Sequence, residues 1–260
     1  MAGPAELSFQ WDGRDDGPVL VLSHALGTAR AMWQPQVERI SSRRRLLRFD
    51  HRGHGASPIP PGPYRIEDLG RDCLRLLDRL QLDRVAFCGL SLGGMVGIWL
   101  GANAPDRIDR LILCCTAARM PRPEDFATRA ARVRKEGLAS LADQLIARWF
   151  TPSFFVDQPD RVAAIRAMLT ATDPEGYAST CEALAAMDLR DQLRQIAAPT
   201  LVVAGAEDQS TPLAQAREIA DGIRGARLVV VDRAAHLANI EQPDSIAQTI
   251  LAELAASPAG

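Results

Sequence analysis

Apolar positions along the chain fall into two kinds of run. Residues 18–22, 45–49, 84–88, 110–114, 200–204 and 228–231 are short, continuous and rich in Val, Leu and Ile. They show no period-two alternation, the pattern of strands buried on both faces of a parallel sheet. Between them the spacing changes. Over residues 66–80, Leu69, Cys73, Leu76, Leu77 and Leu80 recur on one face at the helical period. Residues 91–100, 212–223 and 244–254 read the same way. Strands alternating with helices predict an α/β fold with a mostly parallel central sheet flanked by helices.

The alternation stops between Ala117 and Pro199. That stretch reads as amphipathic helices over 124–136, 138–149, 159–170 and 175–187, with Pro152, Pro159 and Pro174 at the breaks. A helical insertion over residues 118–198 is therefore expected within a core made of residues 1–117 and 199–260. Residues 85–104 are uncharged over the length of a membrane span. They also hold Gly89, Gly93, Gly94, Gly97 and Gly101 and lack a flanking aromatic belt. A buried strand, turn and helix is the reading they favour.

Composition narrows the field. The chain has 260 residues, 47% apolar and 24% charged, with a net charge of −2. It is long enough for one large domain, and it is not disordered, collagenous or a disulfide-stapled miniprotein. No basic footprint for nucleic acid is present. The five cysteines, Cys73, Cys88, Cys114, Cys115 and Cys181, are odd in number and form no Cys-x-x-Cys pair. They read as reduced, buried thiols of a cytoplasmic protein, not as a disulfide framework or metal site. Residues 1–17 carry Asp12, Asp15 and Asp16 and no apolar stretch, so no signal peptide is expected. No membrane partner is expected, and the sequence leaves oligomeric state open, a homo-oligomer included. Lys135 is the only lysine, so nearly all positive charge is arginine. The four histidines, His24, His51, His54 and His236, limit the candidates for base chemistry.

The sharpest chemical signal is Gly89-Leu90-Ser91-Leu92-Gly93, a G-x-S-x-G between an expected strand and an expected helix. In that setting the pattern forms a nucleophile elbow. A strained turn lifts the Ser91 hydroxyl out of the sheet, and the helix N-terminus behind it favours developing negative charge. A serine needs a base, and the base needs a carboxylate to orient it. His236 follows the strand 228–231, and Asp208 follows the strand 200–204, both at the sheet edge where Ser91 lies. The chain order Ser, Asp, His is the one expected of this architecture. Glu207 is the neighbouring carboxylate; Asp208 is preferred for its place before a turn and Pro212. His24 ends the first strand in Ser23-His-Ala-Leu-Gly27, which points to the backbone N–H of Leu26 as one oxyanion donor, with that of Leu92 as the other. His51 and His54 lie in Asp50-His-Arg-Gly-His-Gly55 and read as scaffold of a hydrogen-bonded loop.

As a whole the chain resembles an α/β-hydrolase with a helical cap, and more narrowly the 3-oxoadipate enol-lactonases. The segments that carry the likeness are Ser23–Gly27, Asp50–Gly55, Phe87-Cys-Gly-Leu-Ser-Leu-Gly-Gly-Met95, Pro105–Ile108 and Ala235-His-Leu-Ala-Asn-Ile-Glu241. In the insertion they are Arg148-Trp-Phe-Thr-Pro152, Gly176-Tyr-Ala178 and Cys181–Arg190. The chain departs from the family at Leu92, where Met is common, and at Phe126, where Trp is common. The resemblance implies that the insertion is a cap following the sixth strand. It implies a Ser91–His236–Asp208 hydrolase that opens a small carboxylate-bearing enol lactone through an acyl-enzyme, without metal or organic cofactor. The substrate carboxylate then needs a cation, for which Arg134 or Arg129 is expected, with Trp149 and Trp33 as apolar walls. A carboxylesterase of broader specificity, a C–C bond hydrolase and a hydrolase-fold receptor with negligible turnover are the competing readings.

Overall fold

A computed structural model describes residues 3–256. Residues 1, 2 and 257–260, which the expected core includes at its ends, lie outside the described residues. The centre is a seven-stranded sheet in the order β1-β3-β2-β4-β5-β6-β7. Its strands are β1 (Phe9–Gly13), β2 (Val19–Ser23), β3 (Arg45–Phe49), β4 (Val85–Leu90), β5 (Ile108–Cys114), β6 (Thr200–Gly205) and β7 (Arg227–Val231). β1 runs antiparallel to β3, and the remaining pairs are parallel. Every residue of β2, β4 and β6 is buried, which is why these segments show no alternation. β1 is an edge strand, half-exposed with Phe9 and Trp11 packed on the core, and its mixed sequence carries no continuous apolar run.

Helices cover both faces. α1 (Gln34–Ile40) packs against α11 (Pro243–Ala255), with the short α10 (Ala238–Glu241) between them in sequence and space. α2 (Ile66–Arg79) packs on α3 (Leu92–Asn103), and α9 (Leu213–Gly222) lies on β6. α3 is buried all round from Leu92 to Gly101, so the uncharged run is a buried strand–turn–helix. Among the described residues no helix is long and apolar enough to cross a membrane.

The insertion joins β5 to β6. It holds α4 (Pro123–Glu136), α5 (Ala142–Ile146), α6 (Pro152–Asp157), α7 (Pro159–Thr170) and α8 (Pro174–Ala186). Pro152, Pro159 and Pro174 each begin a helix, where a missing N–H costs nothing. The helix expected over 138–149 is instead a 3₁₀ turn (Leu138–Ser140) followed by α5. The insertion follows the fifth strand, one earlier than expected. The described residues ahead of β1 form no strand of their own; they dock on α2, where the Ala5 N–H donates to Asp72 Oδ1 at 3.0 Å. The neck of the insertion closes where the Leu189 N–H donates to the Ala118 carbonyl at 2.8 Å.

Strand order reverses between β2 and β4, the two strands that lead into the Ser23–Gly27 loop and into Ser91. A crevice opens beyond the carboxyl ends of strands at such a switch point. β6 and β7 deliver Asp208 and His236 to the same edge.

Candidate active site

Ser91 stands between β4 and α3 with φ +55° and ψ −114°, a conformation L-residues rarely adopt. Its N–H donates to the Cys114 carbonyl, which continues the sheet one residue past β4. Its own carbonyl accepts from the Thr116 hydroxyl at 2.7 Å and from the Met95 N–H at 3.0 Å. The flanking glycines are required by contact. A Cβ on Gly89 would lie 2.1 Å from the Gly93 oxygen, and one on Gly93 would lie 2.2 Å from the Ser23 oxygen. The elbow is thereby wedged against β2, and the Gly93 N–H donates to the His24 carbonyl at 3.1 Å.

The Ser91 hydroxyl lies 2.9 Å from His236 Nε2, and His236 Nδ1 lies 2.9 Å from Asp208 Oδ2. Asp208 is itself fixed: Oδ1 accepts the N–H groups of Ser210 (2.7 Å) and Thr211 (2.9 Å), and Oδ2 accepts the Thr211 hydroxyl at 2.8 Å. Burial pushes the Asp208 carboxyl up, but the His236 charge and bond and the Thr211 donors outweigh it and hold it below the usual value. Asp208 is therefore ionised and accepts from Nδ1–H, which leaves Nε2 free to accept the serine proton. The loop that carries His236 is tied down by a buried carboxylate. Glu241 accepts the Ala235 N–H at 2.5 Å on Oε2, and the Thr151 N–H (2.7 Å) and hydroxyl (2.8 Å) on Oε1. The Leu237 N–H donates to the Trp149 carbonyl at 3.0 Å.

The other three histidines support the loop after β2. The His51 N–H donates to His24 Nε2 at 2.9 Å, so Nδ1 of His24 carries the proton and donates to the Ala25 carbonyl at 2.8 Å. His54 accepts the Gly27 N–H on Nε2 (3.1 Å) and donates Nδ1–H to the Arg52 carbonyl (3.1 Å). Both rings are neutral by construction, since each must accept one bond. Burial pushes His24 and His51 below the ordinary value and His54 down to about 3.

Above Ser91 lies a cavity of about 250 Å³. Leu26, Met95, Leu145, Trp149 and Leu184 supply apolar walls, and Arg122, Arg129 and Arg148 supply cations. The size suits a small molecule. Among the described residues no group of His, Cys, Asp and Glu is arranged to hold a metal ion.

A family model described as "alpha/beta hydrolase fold" matches residues 18–243. The chain belongs to the α/β-hydrolase family. The "3-oxoadipate enol-lactonase 2" of Acinetobacter baylyi is 41% identical to this hydrolase over 92% of its chain and 89% of the relative. The crystal structure of an enol-lactonase from Burkholderia xenovorans LB400 superposes with a TM-score of 0.95 at 45% identity, covering 97% of each chain. A thermophilic esterase from Thermogutta terrifontis, solved with malate bound, gives 0.91 at 33% identity over 96% and 93% of the two chains.

Not every expected residue of the hydrolase reaches the cavity. Ser91, His236, Leu26, Trp149 and Arg129 line it, and Asp208 sits behind His236. Leu92 is the first residue of α3, so its N–H has no acceptor within the helix. Arg134 does not line the cavity. Its guanidinium is engaged by Glu175 (2.8 Å) and Glu182 (2.5 Å) of α8, and its side chain is 36% exposed. Arg129 and Arg134 are five residues apart on α4, which turns them about 140° from each other. Trp33 is core, fully buried in the turn Arg30–Trp33. Sequence reasoning missed Tyr177, which lines the cavity from α8. Its hydroxyl is buried beside Arg129 and Cys181, and burial pushes it above the usual phenol value.

Proposed function

We propose that this α/β-hydrolase opens a small enol lactone bearing a carboxylate, of the 3-oxoadipate enol-lactone type, and that it works in the cytoplasm. The observation that carries this reading is the pairing of a Ser91–His236–Asp208 relay with Arg129, which lines the cavity above it. Arg129 rests on the Phe126 ring at 4.6 Å and pairs with no carboxylate among the described residues. Burial works against its charge, but an arginine keeps its proton throughout the working pH range, and the nearby Asp125 favours the charged form. A cation lining the cavity above Ser91 is the partner a substrate carboxylate needs. The five free cysteines are all buried, which suits a reducing compartment.

In this reading Ser91 Oγ attacks the lactone carbonyl as His236 Nε2 takes its proton. The oxyanion settles on the N–H groups of Leu26 and Leu92. The C–O bond of the ring breaks and leaves an enolate tethered to the acyl-enzyme, which takes the His236 proton and becomes a ketone. Water then gives its proton to His236 and attacks the acyl carbon, and Ser91 departs with that proton. The one-way step is the enol-to-ketone conversion.

The test is a substrate panel with two arginine variants. The wild type should turn over the carboxylate-bearing enol lactone with far higher kcat/KM than neutral lactones or p-nitrophenyl acetate. R129M should raise KM for the carboxylate-bearing lactone about ten- to a hundredfold, as expected for one lost charge-assisted bond, and barely affect the neutral ester. R134A should leave both unchanged. Equal effects of R129M on both substrates would remove Arg129 from the reading, and a preference for neutral esters would favour a carboxylesterase.

A further inference from the structure

We infer that Thr28, together with His24, positions and polarises the peptide that supplies the oxyanion donor of Leu26. The inference rests on the serine-hydrolase part of the reading above. The N–H of Leu26 and the carbonyl of Ala25 belong to one peptide unit. That unit is trans, so its C=O and N–H point in opposite directions, and whatever fixes the carbonyl aims the N–H.

The Ala25 carbonyl is held by an unusual number of donors. The Thr28 hydroxyl lies 2.8 Å from it, His24 Nδ1–H lies 2.8 Å from it, and the Thr28 N–H lies 3.2 Å from it. The Thr28 hydroxyl also lies 3.0 Å from Met32 Sδ, but its single proton goes to the stronger acceptor, the carbonyl. All of this is dry: Thr28 and His24 have no exposed surface, and Ala25 has 1%. Among the described residues the Leu26 N–H itself is given to no acceptor, and Leu26 lines the cavity beside Ser91.

Two effects follow. The carbonyl is pinned on its far side, so the Leu26 N–H faces the cavity without having to reorganise as charge develops. Each bond accepted by the carbonyl also draws electron density along the amide and makes the N–H on the same unit a stronger donor, an effect that is larger at low local dielectric. The His51 N–H on Nε2 fixes the tautomer of His24, so its proton sits on Nδ1 and faces the Ala25 carbonyl. Thr28 is thus a positioning residue that never touches substrate and acts through the peptide before Leu26.

T28V removes the hydroxyl and keeps the shape, whereas T28S keeps the hydroxyl. With p-nitrophenyl acetate, kcat of T28V should fall about tenfold, less than the loss of a whole oxyanion donor, with KM nearly unchanged. T28S should recover most of it. The ratio of rates on an ester and its thionoester reads the oxyanion directly, because sulfur accepts hydrogen bonds poorly. That ratio should shrink in T28V and not in T28S. Thermal melts establish that each variant is folded; if T28V is not, T28A against T28S carries the same comparison. Wild-type kcat in a folded hydroxyl-less variant, a loss that T28S does not restore, or an unchanged ester-to-thionoester ratio would overturn the inference. A wild type with no Ser91-dependent ester turnover would overturn it together with the functional reading. Ester turnover without lactone turnover would remove only the lactone.

Discussion

Asp208 shows how much a single carboxylate is asked to do. Its Oδ1 faces two backbone N–H groups and its Oδ2 faces a hydroxyl and an imidazole. An asparagine there must keep its oxygen on the Oδ1 side to satisfy Ser210 and Thr211. Its NH₂ then points at His236 Nδ1, which has to become the acceptor. The ring switches tautomer, and Nε2 carries a proton where it needs a lone pair. D208N should therefore lose about 10⁴ in kcat while keeping its fold, a loss read by single-turnover kinetics beside a thermal melt. A drop of less than tenfold would mean that Asp208 does not set the tautomer. The site residues that sequence exposes are those with a local signature: Ser91 in its pentapeptide, and Asp208 and His236 at the ends of apolar runs. Arg129 could not be separated from Arg134, because that choice depends on the phase of α4 against α8. Thr28 was hidden because its partner is a backbone carbonyl, which leaves no pattern in side chains.

At the scale of elements, legibility follows continuity of apolar sequence: β7 is a partly exposed edge strand, not one buried on both faces, and is still legible from its run of Leu and Val. β2 to β7 announced themselves because they are continuously apolar or nearly so. β1 did not, because its sequence Phe9-Gln-Trp-Asp-Gly13 is mixed and carries no continuous apolar run. The break-up of the 138–149 helix and the extra turn of α6 were equally hidden; tertiary contacts at the end of the cap, such as the Leu237 bond to the Trp149 carbonyl, outweigh helical propensity there. Two predictions belong to this scale. G93A should be strongly destabilised, since its Cβ would meet backbone of β2 and neither strand nor helix can yield; an unchanged melting temperature would show that the crossing is looser than the contact implies. E241Q should lose about 1–3 kcal/mol in urea unfolding, because a carboxamide must turn an N–H donor toward the N–H of Ala235 or of Thr151. Wild-type stability in E241Q would show that this carboxylate does not join the two loops.

For the molecule as a whole, the three buried histidines set an acid limit separate from the chemistry of His236. Their folded values lie below 6.5, and the unfolded chain binds their protons as pH falls through that value. The unfolded state then holds more protons than the folded one, so stability is complete above about 6.5 and declines as pH falls toward the folded values. For His54 the window runs from 6.5 down to about 3. For His54, between pH 7 and 5, the cost is on the order of 2 kcal/mol. Urea unfolding at the two pH values should show this loss, and H54N should shrink it; an identical loss in H54N would remove His54 from the acid limit.

The joint at Glu241 and Leu237 has a consequence for modular engineering. Residues 149–151 belong by sequence to the cap, yet their backbone is bonded to Leu237 and to the Glu241 carboxylate, just beyond His236. The cap is not an interchangeable attachment cut free at its neck of Ala118 and Leu189. A chimera that imports a relative's cap whole will inherit that relative's seating of the histidine. Only grafts that keep the recipient's residues 149–151, or bring a matched partner for Glu241, should retain the host's turnover.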